Sequence, residues 1–165
     1  MNPRMRSRAP LSNSMNQTVL IVDDDAPIRE SLRKVLQTEG YQVVLAADGQ
    51  GALDRFQSER VDLLLLDLNL PAKSGWDLFE RFTAINPLLP IIIITGREDQ
   101  HRVARAAGVG ALMEKPLDVP WLLQTIKSLL SEPAGTRLER LLGLESDVRY
   151  AGSTSTRSTR YEDLG

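Results

Sequence analysis

No cysteine occurs among the 165 residues, which excludes disulfides and thiolate chemistry and fits a reducing compartment. Histidine is nearly absent too. His101 is the single copy, so a histidine-rich metal centre is excluded. No apolar run approaches the roughly 18 residues that a membrane span needs. Charge of one sign is not in excess either, and a net charge of −2 gives no footprint for nucleic acid. The expectation is a cytoplasmic protein without membrane contact or direct DNA binding. No internal repeat of fixed period is present.

The N-terminus carries Arg4, Arg6 and Arg8 and no acid before Asp23, and lacks the apolar segment of a secretory signal. Residues 1–16 read as a disordered basic arm, and Met15 is also a natural start. The apolar fraction of 42% is enough for a core, and the length suits one domain with appendages.

From residue 17 to 131 two textures alternate. Short runs rich in Val, Ile and Leu occur at 18–22, 41–46, 61–66, 90–95 and 109–113. Between them lie stretches with helical spacing. Ile28, Leu32, Val35 and Leu36 share one helix face, and Gly40 supplies a left-handed cap. Shorter helices fit 49–58, 75–84 and 98–107. A last helix carries Leu122, Leu123, Ile126, Leu129 and Leu130, with Asp118 as its N-cap. Five strands alternating with five helices predict an α/β fold, a doubly wound, five-stranded parallel sheet of flavodoxin-like (βα)5 type in the order 2-1-3-4-5.

After Glu132-Pro133 the texture changes. Thr136-x-x-Glu139 matches a capping box, and Leu138, Leu141 and Leu142 could form the stripe of a short helix over 136–143. The tail, 132–165, then reads AGSTSTRSTRYEDLG from Ala151, polar and low in complexity, hence disordered.

The stretch DLLLLDLNLP poses the functional question. Asp67 directly follows four leucines of a strand buried on both faces. An isolated charge there is costly. In an open α/β sheet, ligands bind beyond the carboxyl ends of the strands, where strand order reverses. The first run ends in Asp23-Asp24-Asp25, the third in Asp67, the fourth in Thr95-Gly96, and the fifth is followed by Lys115-Pro116. Carboxylates meeting there at about 4 Å repel by about 4 kcal/mol per pair at an effective dielectric of about 20. Either one keeps its proton or a cation sits among them. A hard divalent ion, Mg²⁺ or Mn²⁺, suits oxygen ligands. Such sites usually hold phosphoryl oxygens as well. Lys115 and Thr95 add an ammonium and a hydroxyl, and Asp67 is left to act as a nucleophile toward phosphorus.

Each element also has a plainer explanation. Asp25, with Pro27 in the first turn, makes a good helix cap. A Thr at a strand end reflects β-propensity, and a Lys before Pro often sits in a solvated turn. The convergence of all of them at four strand ends favours the site.

The segments VLIVDDD, LLLLDLNLPAKSGWDL, IIIITG and MEKPL together resemble the receiver domain of two-component response regulators, over about residues 17 to 131. The resemblance implies that Asp67 is the phosphoacceptor. It also implies that Asp23, Asp24 and Asp67 hold Mg²⁺ with the backbone carbonyl of Asn69, that Thr95 and Lys115 contact the phosphoryl group, and that the Lys115–Pro116 bond is cis. The implied donor is a sensor histidine kinase or a histidine phosphotransfer protein. The protein would be a signalling phosphoacceptor that catalyses its own phosphorylation and dephosphorylation, rather than an enzyme. The face of the fourth helix, fifth strand and fifth helix would meet a downstream protein, or a second copy in a phosphorylation-dependent homodimer. Gly96 would leave space beside Thr95 for the incoming group. Gly75 fits a tight helix entry capped by Ser74. One departure stands out: the family often carries an aromatic residue three positions before the lysine, where this chain has Leu112, so no ring can switch there.

Two rivals remain. A haloacid-dehalogenase-like phosphatase also uses an aspartyl phosphate and Mg²⁺, and Asp23-x-Asp25 resembles its first motif, but no strand-ending acidic pair follows Lys115. A degenerate receiver serving as an interaction module would not need the full set of acids, Thr95 and Lys115. His101, Trp76 and Trp121 read as a surface or packing set without assigned function.

Overall fold

Leu63–Asp67 forms a strand in which every residue is buried, as a continuous apolar run with helices on both faces requires. In this computed structural model, which describes residues 16–71, 74–144 and 148–152, it is the third of six strands. They are β1 (Thr18–Val22), β2 (Gln42–Ala46), β3 (Leu63–Asp67), β4 (Ile91–Thr95), β5 (Ala111–Glu114) and β6 (Arg149–Ala151). All pairings are parallel, in the order β2-β1-β3-β4-β5-β6. The helices are α1 (Ala26–Thr38), α2 (Gly49–Ser58), α3 (Gly75–Ile85), α4 (His101–Ala106), α5 (Val119–Leu130) and α6 (Ala134–Leu141).

Alternation along each strand divides the core in two. Leu64, Leu66, Ile91 and Ile93 pack with Ala52 of α2, Leu78, Phe79 and Phe82 of α3, and Ala104 of α4. Leu63, Leu65, Ile92 and Ile94 pack on the other face with Leu32 and Leu36 of α1 and Leu122, Ile126 and Leu129 of α5. Burial of each Leu, Ile or Phe side chain among them contributes about 1.5–3 kcal/mol. Asp67 continues the alternation of Leu63 and Leu65.

The helix starts follow their caps. Asp25 accepts from the Ile28 N–H at 3.2 Å, with Pro27 in the first turn, and Asp118 accepts from the Trp121 N–H at 2.9 Å. Ser74 accepts from the Trp76 N–H at 3.3 Å. Gly40 takes a positive φ of 89° after α1. Gly75 is required by close approach: a Cβ there would lie 2.5 Å from Leu68 Cα. Helix α4 is shorter than the expected span of 98–107. Asp99 adopts a φ of 74° and Gln100 gives no side-chain cap, so the helix begins only at His101.

The sheet has six strands where five were expected. Residues 149–151, RYA, pair along β5 with Ala111 beside Arg149, Leu112 beside Tyr150 and Met113 beside Ala151. This strand has no apolar run of its own; it forms because β5 would otherwise expose an unpaired edge. The capping box at Thr136 is also not used. Helix α6 starts at Ala134 with Pro133 in the cap position and no side-chain cap. It is fastened instead by charge. Glu132, its side chain 5% exposed, meets Arg140, Arg137 at 3.8 Å and Arg149 at 3.7 Å. Arg137 also donates to the Leu88 and Leu129 carbonyls at 2.8 Å each. Gly108, with a φ of 71°, lets Arg140 and Leu141 come close: a Cβ would sit 3.0 Å from the Arg140 carbonyl oxygen.

The basic arm before Asn16 and the tail beyond Gly152 lie outside the described residues. Among the described residues, no helix is long and apolar enough to cross a membrane.

Candidate functional site

The chain reverses direction across the sheet between β1 and β3, since β1 continues to β2 on one side and β3 to β4 on the other. The carboxyl ends of these two strands therefore frame the crevice that such folds use. Asp23 lies one residue past β1 and Asp67 ends β3. Both are 1% exposed, whereas Asp24 is exposed. One carboxylate oxygen from each of the three lies within 4.8 Å of the others.

Local backbone bonds fix the two buried acids. The Asp25 N–H donates to Asp23 Oδ1 at 2.8 Å, and the Asn69 N–H donates to Asp67 Oδ1 at 2.8 Å. The Asp23 N–H is tied to the Ala46 carbonyl and the Leu68 N–H to the Ile94 carbonyl, at 3.2 and 3.0 Å. The outer oxygens face Lys115. Its Nζ lies 3.1 Å from Asp67 Oδ2 and 3.3 Å from Asp23 Oδ2. Lys115 is held by its own N–H, which donates to the Thr95 carbonyl at 2.8 Å, and the Lys115–Pro116 bond is cis.

Thr95 is fully buried at the end of β4, where its hydroxyl accepts from the Arg97 N–H at 3.0 Å. In register it stands beside Glu114 of β5. Gly96 borders Asn69: a Cβ there would come 3.3 Å from Asn69 Nδ2. The fold thus gathers Asp23, Asp24, Asp67, Asn69, Thr95 and Lys115 at one edge. Asp25 is not part of the acidic group, because its side chain caps α1.

The electrostatics are those of crowded acids around one cation. Burial raises the pKa of Asp23. The Asp25 N–H opposes that, the Asp67 charge adds to it, and Lys115 opposes it. For Lys115, burial works downward, yet the hydrogen bonds and charges of Asp67 and Asp23 outweigh it and its pKa is raised. One ammonium pairs with Asp23 and Asp67 in a group of three carboxylates, so the group still lacks positive charge. An all-oxygen donor set with partly exposed Asp24 suits a small hard cation that keeps some of its water.

Two contributors were not read from the sequence. Arg29 donates to the Asp23 carbonyl from the first turn of α1; a basic residue six positions after a strand-end acid is the available signal. Glu114 accepts from the Tyr150 hydroxyl at 2.6 Å, a contact across 36 residues for which local pattern gives no signal.

Residues 19–127 match the family described as response regulator receiver domain. The chain belongs to that family: it is a receiver of two-component response regulators, a signalling module. It is similar to the response regulator MprA of Mycobacterium tuberculosis (strain H37Rv), with 39% identity over 118 residues, 70% of this chain and 51% of that one. The chain spans about half the length of the curated relatives it matches. Among solved structures, a CheY-like receiver domain protein from Methanospirillum hungatei JF-1 aligns with a TM-score of 0.66 and 31% identity, covering 74% of this chain and 97% of that one. The response regulator TrrA from Thermotoga maritima, solved in complex with Mg²⁺ and BeF, aligns with a TM-score of 0.64 and 29% identity, covering 68% and 98%.

Proposed function

We propose that this chain is the phosphoacceptor of a phosphorelay, with Asp67 as the attacking group. A carboxylate oxygen of Asp67 bonds to the phosphorus of a phosphohistidine, the P–N bond breaks, and the imidazole keeps the electron pair. The donor is a sensor histidine kinase or a histidine phosphotransfer protein, and the setting is the cytoplasm. Hydrolysis of the acyl phosphate ends the signal.

The observation that carries this reading is the placement of Asp67: buried at a strand end, 3.1 Å from Lys115 and grouped with Asp23 and Asp24. Asp23, Asp24 and Asp67, with the Asn69 carbonyl, would hold Mg²⁺ or Mn²⁺, which when bound supplies charge neutralisation to the phosphoryl oxygens. Lys115 pairs with the transferred group, and Thr95 turns its hydroxyl from the Arg97 N–H toward it. The Asn69 N–H holds one Asp67 oxygen, so attack comes from a fixed side chain. That a relative was crystallised with Mg²⁺ and BeF supports the same chemistry here.

The phosphatase alternative loses its second acid, since Asp25 is committed to capping α1. The test is acid-labile labelling with acetyl phosphate and Mg²⁺. Wild type takes up one phosphoryl group, Asp67→Asn takes up none, and equal labelling of both would end the proposal. No labelling of wild type would favour the degenerate interaction module.

A further inference from the structure

The face of α4, β5 and α5, where the family resemblance implies that a downstream protein docks, is not bare. The edge of β5 is covered by β6, from the chain's own C-terminal segment. A three-residue strand has little to hold it by itself, and Tyr150 is 44% exposed. Side chains supply the rest. The Tyr150 hydroxyl donates to Glu114 of β5 at 2.6 Å. The Tyr150 ring meets the His101 ring of α4 edge to face, with centroids 5.0 Å apart. Arg149 donates to Ser128 of α5 at 3.1 Å and lies 3.7 Å from Glu132. One short segment therefore bridges α4, β5 and α5. Partial burial first, then the Glu114 hydrogen bond and charge, push the Tyr150 pKa up to about 12.

These anchors adjoin the site. Glu114 stands beside Thr95 in register and directly precedes Lys115, whose ammonium holds Asp67. Only five residues join Thr95 to His101, the first residue of α4. A phosphoryl group on Asp67 would draw both Thr95 and Lys115, and so would move the ends of β4 and β5 and the start of α4. The Glu114 and His101 contacts of Tyr150 lie on those moving parts.

We propose that residues 149–151 are a strap, closed over α4, β5 and α5 in the resting protein and released when Asp67 is phosphorylated. The proposal rests on the phosphoacceptor reading above. Release uncovers the β5 edge, whose free N–H and C=O groups can then pair with an extended segment of a partner. Reciprocity follows: if phosphorylation weakens the strap, weakening the strap favours phosphorylation by the same factor.

Hydrogen exchange on the full chain tests this, with Mg²⁺ alone and with Mg²⁺ plus beryllofluoride, whose capture is followed by ¹⁹F NMR. Amides of Leu112 and Glu114, which face β6 while alternate amides of β5 bond β4, and those of 149–151 should exchange at least about fivefold faster with beryllofluoride, within the usual range of coupling, and Asp67→Asn should show no change. Tyr150→Phe, which removes only the hydroxyl, should speed exchange of 149–151 without beryllofluoride and raise labelling at limiting acetyl phosphate. Beryllofluoride captured with 149–151 equally or better protected would overturn the strap and leave the phosphoacceptor reading standing. Tyr150→Phe without effect on exchange or labelling would overturn it as well. Absence of capture and labelling in wild type and Tyr150→Phe alike would end both.

Discussion

Lys115 and Asp67 meet at 3.1 Å across strands β5 and β3, two elements separated by β4 in the sheet. The contact is made because both side chains leave the carboxyl ends of their strands and converge over the edge of β4. The same ammonium lies 3.3 Å from Asp23. It is the positive group, among the described residues, that offsets the acidic cluster. Removing it leaves buried carboxylates facing one another.

Lys115→Met should therefore destabilise the metal-free protein by about 3 kcal/mol, the scale for breaking a buried pair by deleting one partner. Mg²⁺ should restore most of that loss. Denaturant unfolding with EDTA and with Mg²⁺ measures both. A loss that Mg²⁺ leaves untouched would mean the acids do not share a cation. Labelling by acetyl phosphate should fall sharply whatever the stability.

Asp23 carries the opposite sign. Its folded pKa lies above the ordinary 3.8, chiefly through burial. It therefore binds its proton more tightly folded than unfolded. Its contribution to stability is present below the ordinary value and fades as pH rises through its own higher pKa. At pH 7 the ionised Asp23 is a liability in the absence of metal. Asp23→Asn should raise Tm in EDTA at pH 7 and lose the advantage near pH 3, and it should abolish most of the Tm gain from Mg²⁺. Thermal scans across pH with and without Mg²⁺ check this. A lower Tm for the variant in EDTA at pH 7 would contradict it.

Much of the site and fold could be read from local pattern. Four leucines and a carboxylate set Asp67 at a strand end. Asp25, Ser74 and Asp118 announced helix starts because a cap acts within three residues. The late start of α4 was not legible, since the left-handed Asp99 has no distinguishing composition. Strand β6 escaped because three residues, Arg149-Tyr150-Ala151, are too few to show a period of two. Glu132 marked only a change of texture before Pro133. Its partners Arg137, Arg140 and Arg149 stand 5, 8 and 17 residues later, and only the turn into α6 and the return to β5 bring them together. Local chemistry was visible; pairing between distant segments was not.

Gly75 tests how the entry to α3 positions the site. A Cβ at this position meets Leu68 backbone atoms at 2.5–3.0 Å, and a backbone cannot rotate away as a flexible side chain can. Gly75→Ala should cost about 1–3 kcal/mol, the range for forced overpacking. The displaced segment begins one residue after Asp67 and includes Asn69, so Mg²⁺ affinity should drop as well. Urea unfolding and Mg²⁺ titration by tryptophan fluorescence, with Trp76 directly adjacent, read the two effects. Unchanged stability would show that the α3 start has more room than the geometry gives it.

Glu132 is the acid on which α6 and the strap both depend. Its side chain is 5% exposed and faces Arg140, itself 6% exposed, with Arg137 and Arg149 nearby. Three guanidiniums around one carboxylate are tolerable only while that carboxylate is charged. Glu132→Gln keeps the shape and removes the charge, leaving buried Arg140 and its partly buried neighbours Arg137 and Arg149 uncompensated. A loss of about 3–5 kcal/mol is expected, carried by local opening of 134–141 and 149–151 before the sheet unfolds. Hydrogen exchange resolves the order of opening. Faster exchange confined to these two segments, with 63–67 and 91–95 still protected, is the expected result. Because Arg149 loses its ionic partner and keeps only Ser128, the variant should also label more readily with acetyl phosphate, in the direction set by Tyr150→Phe. A stable variant with both segments still protected would show that the arginine contacts, and not the acid, fasten the C-terminal elements to the sheet.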